Sequence, residues 1–517
     1  MKPPNSIIVA KLINELIPVD ICSRYQLIPL TMNKSNDSVL VGMVNPHNLN
    51  ALDDLKRILK HVSFKRILIT DVDFKSLITT YRDDQLKEQV EVDYHKSVDI
   101  SNLLEDNVEL KEEVPSIEEL GKITRFVNVI ISRAIQEGAS DIHFEPLETV
   151  FRIRFRKDGI LSLAYPEDTL PKNYASSVAT RIKILADLNI SEKRLPQDGK
   201  FRQNFMGRKI DFRVSTIPSI FGETVVIRIL DKNETDISLD NLISCPNTVF
   251  KIKELTNNPF GLFLVTGPTG SGKTTTLYSI LIERNTEEIS IVSAEDPIEY
   301  ILPGSTQVQL LREKGMNFSA ILRSFLRQDP DIIFVGETRD LETAKTAIEA
   351  ALTGHLVLST LHTNNSASSV SRLTEMGIEP FTLAGTLVGV LAQRLARKVC
   401  EDCRIPYYPT QEELHYFGMP YEKMIIYKSY KPTSDEILKH KFCKNCQGLG
   451  YKGRVGMYEL FVVSSTIKTL ICEGASTSVL EETAIKEGMT TLLTYSLNLV
   501  KQGVTTLEEV KRVTLIK

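Results

Sequence analysis

The chain has 517 residues, of which 42% are hydrophobic and 25% are charged, and its net charge at pH 7 is −4. This length predicts about three or four domains, and the charged residues that interrupt every long apolar stretch exclude a membrane span. The near-neutral total gives no overall electrostatic footprint for nucleic acid, so we do not expect a nucleic-acid partner.

Residues 1–82 predict a small α/β unit. Their start, MKPPNSIIVAKLINELIP, carries Lys11, Asn14 and Glu15 within its apolar part. This pattern indicates an amphipathic helix rather than a secretory signal, and therefore a cytoplasmic chain. A further helix is expected from Asp73 to Tyr81. The elements predicted between these helices are VLVGMV as a strand, NLNALDDLKRILKH as a helix and RILIT as a strand.

Residues 83–119 are acidic and poor in aromatic side chains, as in LLEDNVELKEEVPSIEEL. This composition is typical of a solvated, flexible linker. Residues 120–240 predict a second unit, in which the strands VFRIRFRKDG and KIDFRVSTIP flank a helix near Tyr174 to Leu188. The stretch FRIRFR alternates with a period of two and so places its arginines on one face of a strand.

Residues 241–397 alternate between apolar strands and helices, an order that predicts a parallel sheet with crossover helices. The predicted strands contain FGLFLVT, ISIVSAEDP, DIIFVGE and HLVLSTLH. The strand DIIFV runs into Gly336, although a nucleotide-hydrolysing enzyme is expected to have a metal-binding aspartate at the end of such a strand. This glycine leaves open whether the strand is catalytic or an ordinary buried strand.

The stretch GPTGSGKT fits the phosphate-binding pattern G-x-x-x-x-G-K-[ST] and lies between the strand LFLVT and a helix. Its glycines let backbone amides approach the phosphates, and the following helix presents its positive end to them. Lys273 is expected to reach the terminal phosphates, and the Thr274 hydroxyl to bind Mg²⁺. The residues expected to bind nucleotide are Gly267, Pro268, Thr269, Gly270, Ser271, Gly272, Lys273, Thr274 and Thr275.

The base of the nucleotide is predicted from a missing motif. GTPases carry N-K-x-D downstream of this loop, and this sequence does not. ATP is therefore the expected nucleotide. A degenerate site that binds nucleotide without hydrolysing it is the alternative.

Hydrolysis also requires an acid that orients water and charge that stabilises the transferring phosphoryl group. SAEDPIEY supplies Glu295 and Asp296 after one predicted strand, and GETRD supplies Glu337 after another. Ligands bind at the carboxyl edge of a parallel sheet, so both sets are expected at the phosphates, with a helix cap or loop charge as the alternative. His355 and His362 flank the strand LVLSTL and are expected to hydrogen-bond phosphate or couple the site to a neighbour, rather than to fill ordinary positions.

Four of the seven cysteines form two pairs, Cys400-x-x-Cys403 and Cys443-x-x-Cys446. Each pair has the spacing of a zinc knuckle, and four thiolates would make a structural Zn²⁺ site with no open position. The long interval between the pairs weakens this pattern, and redox use of one C-x-x-C pair is the alternative. The other three cysteines are expected to be ordinary buried or loop residues.

Several longer stretches, in this order and spacing, resemble the secretion ATPases that assemble type II secretion pseudopili and type IV pili. They are GASDIHFEP, GPTGSGKTTTLYS, SAEDPIEY, LRQDPDIIFVGETRD, TGHLVLSTLHTN and GYKGRVGMYEL. The resemblance covers about residues 120–515 and implies a hexameric motor that hydrolyses ATP. It implies a multidomain α/β fold, in which a RecA-like P-loop domain with a parallel sheet follows a PAS-like α/β domain and a small α/β N-terminal domain. A DNA translocase with the same ring geometry and a nucleotide-gated scaffold without turnover are the alternatives.

The resemblance also implies roles for individual residues. SAEDPIEY corresponds to the Asp box of the family, DIIFVGE to its atypical Walker B strand and TGHLVLSTLH to its His box. Glu337 would then polarise the attacking water, and Glu295 and Asp296 would complete the acid set. Gly336 would be normal for the family, with Mg²⁺ held by Thr274, phosphates and water.

Two arginines match the arginine sensors of the family by position, Arg213 in DFRVST and Arg228 in VVIRIL. A surface ion pair is the alternative for each. The four-cysteine insertion belongs to the assembly branch of the family, so the resemblance also implies Zn²⁺ and favours assembly over retraction.

Residues 1–119 are expected, on the same resemblance, to dock on an inner-membrane platform protein or a cytoplasmic adaptor of a secretion or pilus machine. The chain would then lie in the cytoplasm, peripheral on the inner face of the bacterial inner membrane. The R-L-G motifs with which some relatives bind cyclic di-GMP are missing from the sequence, so cyclic di-GMP binding is not expected. The predicted domains are 1–82, the linker 83–119, 120–240, 241–397, the cysteine subdomain 398–455 and a helical subdomain 456–517.

Overall fold

The computed structural model describes residues 17, 21–22, 25–33, 38–46, 48–59, 62–70, 74, 117–164, 170–205, 208–231, 238–433 and 441–514. Within these residues the chain divides into two compact units, Met1–Phe155 with Ser162–Asp231 and Arg156–Leu161 with Lys232–Lys517. No helix in the described ranges is both long enough and apolar enough to cross a membrane.

The first unit begins with a three-stranded sheet. Strand β1 (Leu27–Met32) pairs antiparallel with β2 (Ser38–Met43), and β2 pairs parallel with β3 (Ser63–Leu68). Helix α1 (Leu49–Ile58) connects the two parallel strands, as a crossover between parallel strands requires. The apolar core of this sheet includes the fully buried Leu27, Ile28, Val39, Val41 and Leu55.

Some predictions lie outside the described residues. These are the amphipathic helix at the start of the chain, apart from Ile17, the helix from Asp73 to Tyr81, apart from Phe74, and most of the linker at 83–119. The linker prediction ends too late, because helix α2 (Ile117–Gln136) begins three residues before residue 120.

A second sheet of the first unit has the strand order β6-β5-β4-β10-β9-β8, with β7 paired to β5. Apolar side chains from its inner face and from two helices form one core. The second of these helices ends at Leu185, slightly before the predicted Leu188. The elements are β4 (Asp141–Pro146), β5 (Val150–Lys157), β6 (Ile160–Leu163), β7 (Leu170–Pro171), α3 (Tyr174–Leu185), β8 (Gln197–Phe205), β9 (Arg208–Ser219) and β10 (Gly222–Asp231).

The period-two pattern of FRIRFR corresponds to the two faces of β5. Phe151, Ile153 and Phe155 are buried in the core, whereas Arg152 and Arg154 lie on the other face, where both donate hydrogen bonds to Glu145. This alternation is the expected pattern of a strand with one buried face.

The second unit contains a seven-stranded sheet in the order β13-β12-β14-β15-β11-β16-β19. Neighbouring strands are parallel except for the last pair, which is antiparallel. The predicted parallel sheet is thus confirmed. Its strands are β11 (Gly261–Thr266), β12 (Ile291–Glu295), β13 (Thr306–Gln309), β14 (Ile332–Val335), β15 (Leu356–Leu361), β16 (Leu387–Val399) and β19 (Tyr451–Val462), and β17 (Ile405–Tyr407) pairs with β18 (Ile426–Lys428) in a separate ribbon.

The inner strands of this sheet are buried on both faces. Every residue of β11, β14 and β15 is buried, which is typical of a parallel sheet covered by helices on both sides. Two large apolar clusters lie on the two faces. The helices of this unit are α4 (Leu239–Leu242), α5 (Pro246–Thr256), α6 (Lys273–Arg284), α7 (Phe318–Phe325), α8 (Leu341–Leu352), α9 (Ser368–Glu375), α10 (Pro380–Thr386), α11 (Gln411–Tyr416), α12 (Ser465–Cys472), α13 (Thr477–Lys486), α14 (Leu492–Lys501) and α15 (Leu507–Val513).

Strand β19 corrects the predicted boundary between residues 455 and 456. This strand runs from Tyr451 to Val462 and pairs with β16 along most of its length, so the boundary falls inside one continuous strand. Sequence composition did not reveal it, because the strand pairs with a partner about 60 residues away in the chain.

A buried carboxylate joins helix α15 to β16. Glu509 is fully buried and accepts hydrogen bonds from the Arg397 backbone N–H at 2.9 Å and from Arg512 Nε and Nη2 at 2.7 and 2.8 Å. Burial alone would raise the pKa of Glu509, but the hydrogen bonds from Arg512 and Arg397 outweigh it and lower this pKa to about 2.

The lowered pKa of Glu509 predicts a pH-dependent contribution to stability. The contribution is fully present above the ordinary pKa of 4.5 and is lost as the pH falls through about 2, because the unfolded chain then binds the proton more readily. The difference in melting temperature between the native chain and Glu509→Gln should therefore be largest above pH 4.5 and shrink towards pH 2. A difference that stays constant over this range would contradict the assignment.

Candidate active site

The predicted phosphate-binding loop lies between β11 and α6. Gly267, Gly270 and Gly272 have φ angles of 147°, 76° and 85°, in the region that favours glycine. A Cβ at Gly267 would collide with the carbonyl oxygen of Gln393. The loop therefore needs glycine both for its backbone conformation and for its close approach to β16.

The side chain of Lys273 is buried inside this loop. Its Nζ donates hydrogen bonds to the carbonyl oxygens of Gly267 and Pro268, each at 3.0 Å. Burial lowers the pKa of Lys273, and the negative charge of Glu337 opposes that effect. Ser271 Oγ is also buried, and it has no hydrogen-bond partner among the described residues. A phosphate group would bring negative charge to the Lys273 ammonium and an acceptor to Ser271 Oγ, so these residues fit a nucleotide.

Gln393 holds the loop in place, and sequence reasoning missed it. Its Nε2 donates a hydrogen bond to the Ser271 carbonyl oxygen, and its Oε1 accepts one from Thr276 Oγ1, both at 2.8 Å. The available signal was a glutamine directly after the apolar stretch LVGVLA of β16, because a buried amide needs partners.

Glu337 lies just beyond the end of β14, at the same sheet edge as the loop. Its Oε1 is 2.6 Å from Arg339 Nε and 2.8 Å from His362 Nε2. Burial opposes ionisation, but Arg339 and His362 outweigh it, so the pKa of Glu337 lies below its ordinary value. The carboxylate is therefore ionised near neutral pH and close to Lys273. Arg339 follows Glu337 by two residues, and sequence reasoning did not single it out.

Gly336 occupies a position with little room for a side chain. Its N–H donates to the Ala294 carbonyl oxygen at 2.8 Å, and a Cβ would lie 3.2 Å from the same oxygen and 3.4 Å from Glu295 Cα. An aspartate here would press on the backbone of β12. The absence of a metal-binding aspartate is thus a packing constraint.

The two acids of SAEDPIEY have different environments. Glu295 is buried, and its carboxylate accepts hydrogen bonds from Tyr278 Oη and Ser293 Oγ, each at 2.6 Å, and from Gln307 Nε2 at 3.1 Å. Asp296 is partly exposed and pairs with Arg312 Nη2 at 2.5 Å. Glu295 is the last residue of β12 and Asp296 follows it, at the carboxyl edge of the sheet. Their predicted part in hydrolysis stays a prediction.

The two predicted histidines lie at opposite edges of the sheet. His362 follows the last residue of β15 and contacts Glu337. His355 precedes the first residue of β15, where its Nδ1 is 2.9 Å from the Ala350 carbonyl oxygen. Within one chain, His355 therefore does not lie at the predicted phosphate site, because the length of a six-residue strand, roughly 20 Å, separates it from that edge. Its coupling to a neighbouring subunit stays a prediction.

The two predicted arginine sensors are neighbours in the first unit. Arg213 on β9 lies directly opposite Arg228 on β10, and Arg228 lies opposite Asp141 on β4. Arg228 Nε donates a hydrogen bond to Asp141 Oδ1 at 2.8 Å, yet more than half of the Arg228 side chain is exposed. The ion pair named as the alternative is thus present for Arg228. The role of either arginine at a nucleotide stays a prediction.

The four paired cysteines come together around one point. Cys400 Sγ lies 3.8 Å from Cys443 Sγ, Cys403 Sγ lies 3.6 Å from Cys446 Sγ, and all four sulfurs lie within 4.8 Å of one another. Four sulfurs around a tetrahedral Zn²⁺ with bonds of about 2.3 Å would be roughly 3.8 Å apart. The Gly450 N–H also donates to Cys446 Sγ at 3.2 Å. The donor set and its spacing therefore fit zinc.

Comparison with known proteins identifies the family. A family model described as type II/IV secretion system protein matches residues 116–512, well over half of the chain. The chain belongs to the type II/IV secretion system protein family. A second family model, described as MshEN domain, matches residues 5–88, which include the first sheet of this family member.

Individual relatives and a solved structure resemble the chain over most of its length. It is 41% identical over 505 residues to the type IV pilus assembly ATPase PilB of Myxococcus xanthus, covering 96% of this chain and 85% of that protein. It is 40% identical over 505 residues to the type II secretion system ATPase E of Vibrio cholerae, covering 96% of each. The ATPase DotB of Legionella pneumophila shares the fold, with a TM-score of 0.57 and 20% identity over 79% of this chain and 99% of that one.

The cysteine geometry predicts that this secretion-family protein contains about one Zn²⁺ per chain. Cys403→Ser should lose the metal and lower the melting temperature, because one of four ligands is gone. Cys472→Ser is the matched control, since Cys472 is exposed and outside the cluster. Elemental analysis of the purified proteins measures the metal. Equal zinc content in both variants would contradict the assignment.

Proposed function

We propose that the chain hydrolyses ATP to power assembly of a type IV pilus or a type II secretion pseudopilus. The observation that carries the proposal is the ionised Glu337 carboxylate, held by Arg339 and His362 at the sheet edge where the phosphate-binding loop begins. The relatives named above as assembly and secretion ATPases support the same function.

Each residue of the site has a proposed part in the reaction. The loop amides and Lys273 hold the phosphates, and Glu337 orients the attacking water. Thr274, the second residue of α6, would bind Mg²⁺ through its hydroxyl together with phosphate oxygens and water. When bound, Mg²⁺ would supply positive charge that neutralises the phosphate oxygens.

Other groups support the reaction less directly. Glu295 braces Tyr278 and Gln307 beside α6, and Asp296 completes the set of acids at this edge. Arg213 and Arg228 would stabilise phosphate charge in the way that arginine fingers do in other nucleotide hydrolases. The cysteine cluster would hold a structural Zn²⁺.

The working form would be a homohexamer in the cytoplasm, peripheral on the inner face of the bacterial inner membrane. Residues 1–119 would dock on a platform protein or cytoplasmic adaptor of the machine. The match of residues 5–88 to a separate family model supports an independent role for this segment.

Glu337→Gln should lower kcat for Mg²⁺-dependent ATP hydrolysis at least about 100-fold, because the amide cannot act as a base towards water. Binding of ATP should remain within roughly twofold, since the loop is unchanged. Phosphate release and nucleotide titration measure the two quantities. Native turnover in Glu337→Gln would refute the catalytic assignment, and turnover stimulated by DNA would favour a translocase instead.

His362→Ala and His355→Ala form a matched pair that tests which end of β15 takes part in ATP hydrolysis. His362→Ala should lower kcat about 10-fold or more, because it removes a hydrogen bond to the carboxylate that acts on water. His355→Ala should keep native kcat, since its ring bonds to the Ala350 carbonyl at the far edge. Equal losses of kcat in the two variants would contradict this distinction.

A further inference from the structure

The structure contains a buried carboxylate near the active site that the proposed chemistry does not use. Glu459 lies on β19, opposite Ala392 of β16, with only 3% of its surface exposed. A buried carboxylate is costly unless hydrogen bonds and a nearby positive charge compensate it. Arg394 lies close enough for its charge to interact with that of Glu459.

The Glu459 carboxylate accepts three hydrogen bonds, from two residues outside its own strand. Glu459 Oε1 accepts from the Ser366 backbone N–H at 2.9 Å and from Ser366 Oγ at 2.6 Å, and Oε2 accepts from the Leu492 N–H at 3.1 Å. Leu492 is the first residue of α14, where helical N–H groups lack partners within the helix. A glutamine would place its NH₂ group against one of these donors, so the position requires a carboxylate.

Ser366 belongs to the loop that carries His362. The loop comprises His362 to Ser366, between the end of β15 and α9. Two charged side chains, one on β19 and one on β16, hydrogen-bond to this loop. Glu459 binds Ser366, and Arg394 Nη2 donates to the Asn364 carbonyl oxygen at 3.1 Å. Both ends of the loop are thus fixed, one by β15 and the other by β16 and β19.

We propose that Glu459 is a positioning residue for ATP hydrolysis, which fixes the loop from His362 to Ser366 and thereby aims His362 Nε2 at Glu337. This inference rests on the proposed function. The hydrogen bonds of Glu459 go to Ser366 and Leu492, whereas Glu337 pairs with Arg339 and His362, so Glu459 would act only through the placement of His362. A small displacement of His362 should lower kcat, because groups at a reaction centre must be held in a narrow range of positions.

The test compares Glu459→Gln with the native chain in steady-state ATP hydrolysis by the full-length protein. We expect kcat to fall about 10-fold while the KM for ATP stays within roughly twofold. Ser366→Ala removes one of the three hydrogen bonds and keeps both backbone donors, so its kcat should fall about threefold. It also keeps the inference testable where Glu459→Gln does not fold.

The deciding measurement repeats Glu459→Gln and Ser366→Ala in the His362→Ala background. If both act through His362, neither should lower kcat further there. A purely structural brace would give the same loss of kcat in both backgrounds, and that result would overturn the inference. Native kcat in both single variants would overturn it too.

Glu509→Gln is the matched control. Glu509 is also a buried carboxylate, but it binds the backbone of β16 and makes no hydrogen bond to the loop from His362 to Ser366. It should lower the melting temperature and keep native kcat at a temperature where the protein is folded. A kcat loss equal to that of Glu459→Gln would overturn the inference. A native chain without Mg²⁺-dependent turnover would instead refute the proposed function, so the two failures are distinguishable.

Discussion

The parallel pairing of β11, β15 and β14 is the constraint on which the rest of the site depends. Thr266 pairs with Leu361 and Val335 pairs with Ser359, so the residues that follow these strands emerge at one edge. The phosphate-binding loop, Glu337 and His362 are distant in the chain and meet there for this reason. The same pairing sends His355 to the other edge, because a strand has only one carboxyl end.

The antiparallel pair β16 and β19 adds a second support beside this edge. Gln393 on β16 holds the phosphate-binding loop, and Glu459 on β19 holds the loop that carries His362. The paired cysteines lie close in sequence to the end of β16 and the start of β19. Glu509 on α15 accepts a hydrogen bond from the backbone of β16. Both loops are therefore hydrogen-bonded to a strand pair that lies outside the predicted nucleotide-binding residues.

The sequence predicted the parallel sheet, the phosphate-binding loop and the position of Glu337 because these depend on local signals. Apolar periodicity, a glycine pattern and the end of a strand are all visible within about ten residues. Gln393 and Glu459 were missed because their partners lie far away in the chain. His355 was expected at the phosphates because the motif presents both histidines together and does not show that the strand between them places them at opposite edges of the sheet. The extent of β19 was missed for a similar reason, since its pairing partner is β16.

Gly336 limits where the metal ligands can come from. The backbone of β12 leaves little room for an acid at position 336, since a Cβ there would lie 3.2 Å from the Ala294 oxygen. Of the neighbouring acids, Glu295 is already engaged by three donors and Asp296 by Arg312. Glu337 is held by Arg339 and His362. The proposed Mg²⁺ ligand is therefore the hydroxyl of Thr274, at the start of α6, which would hold the ion together with phosphate oxygens and water.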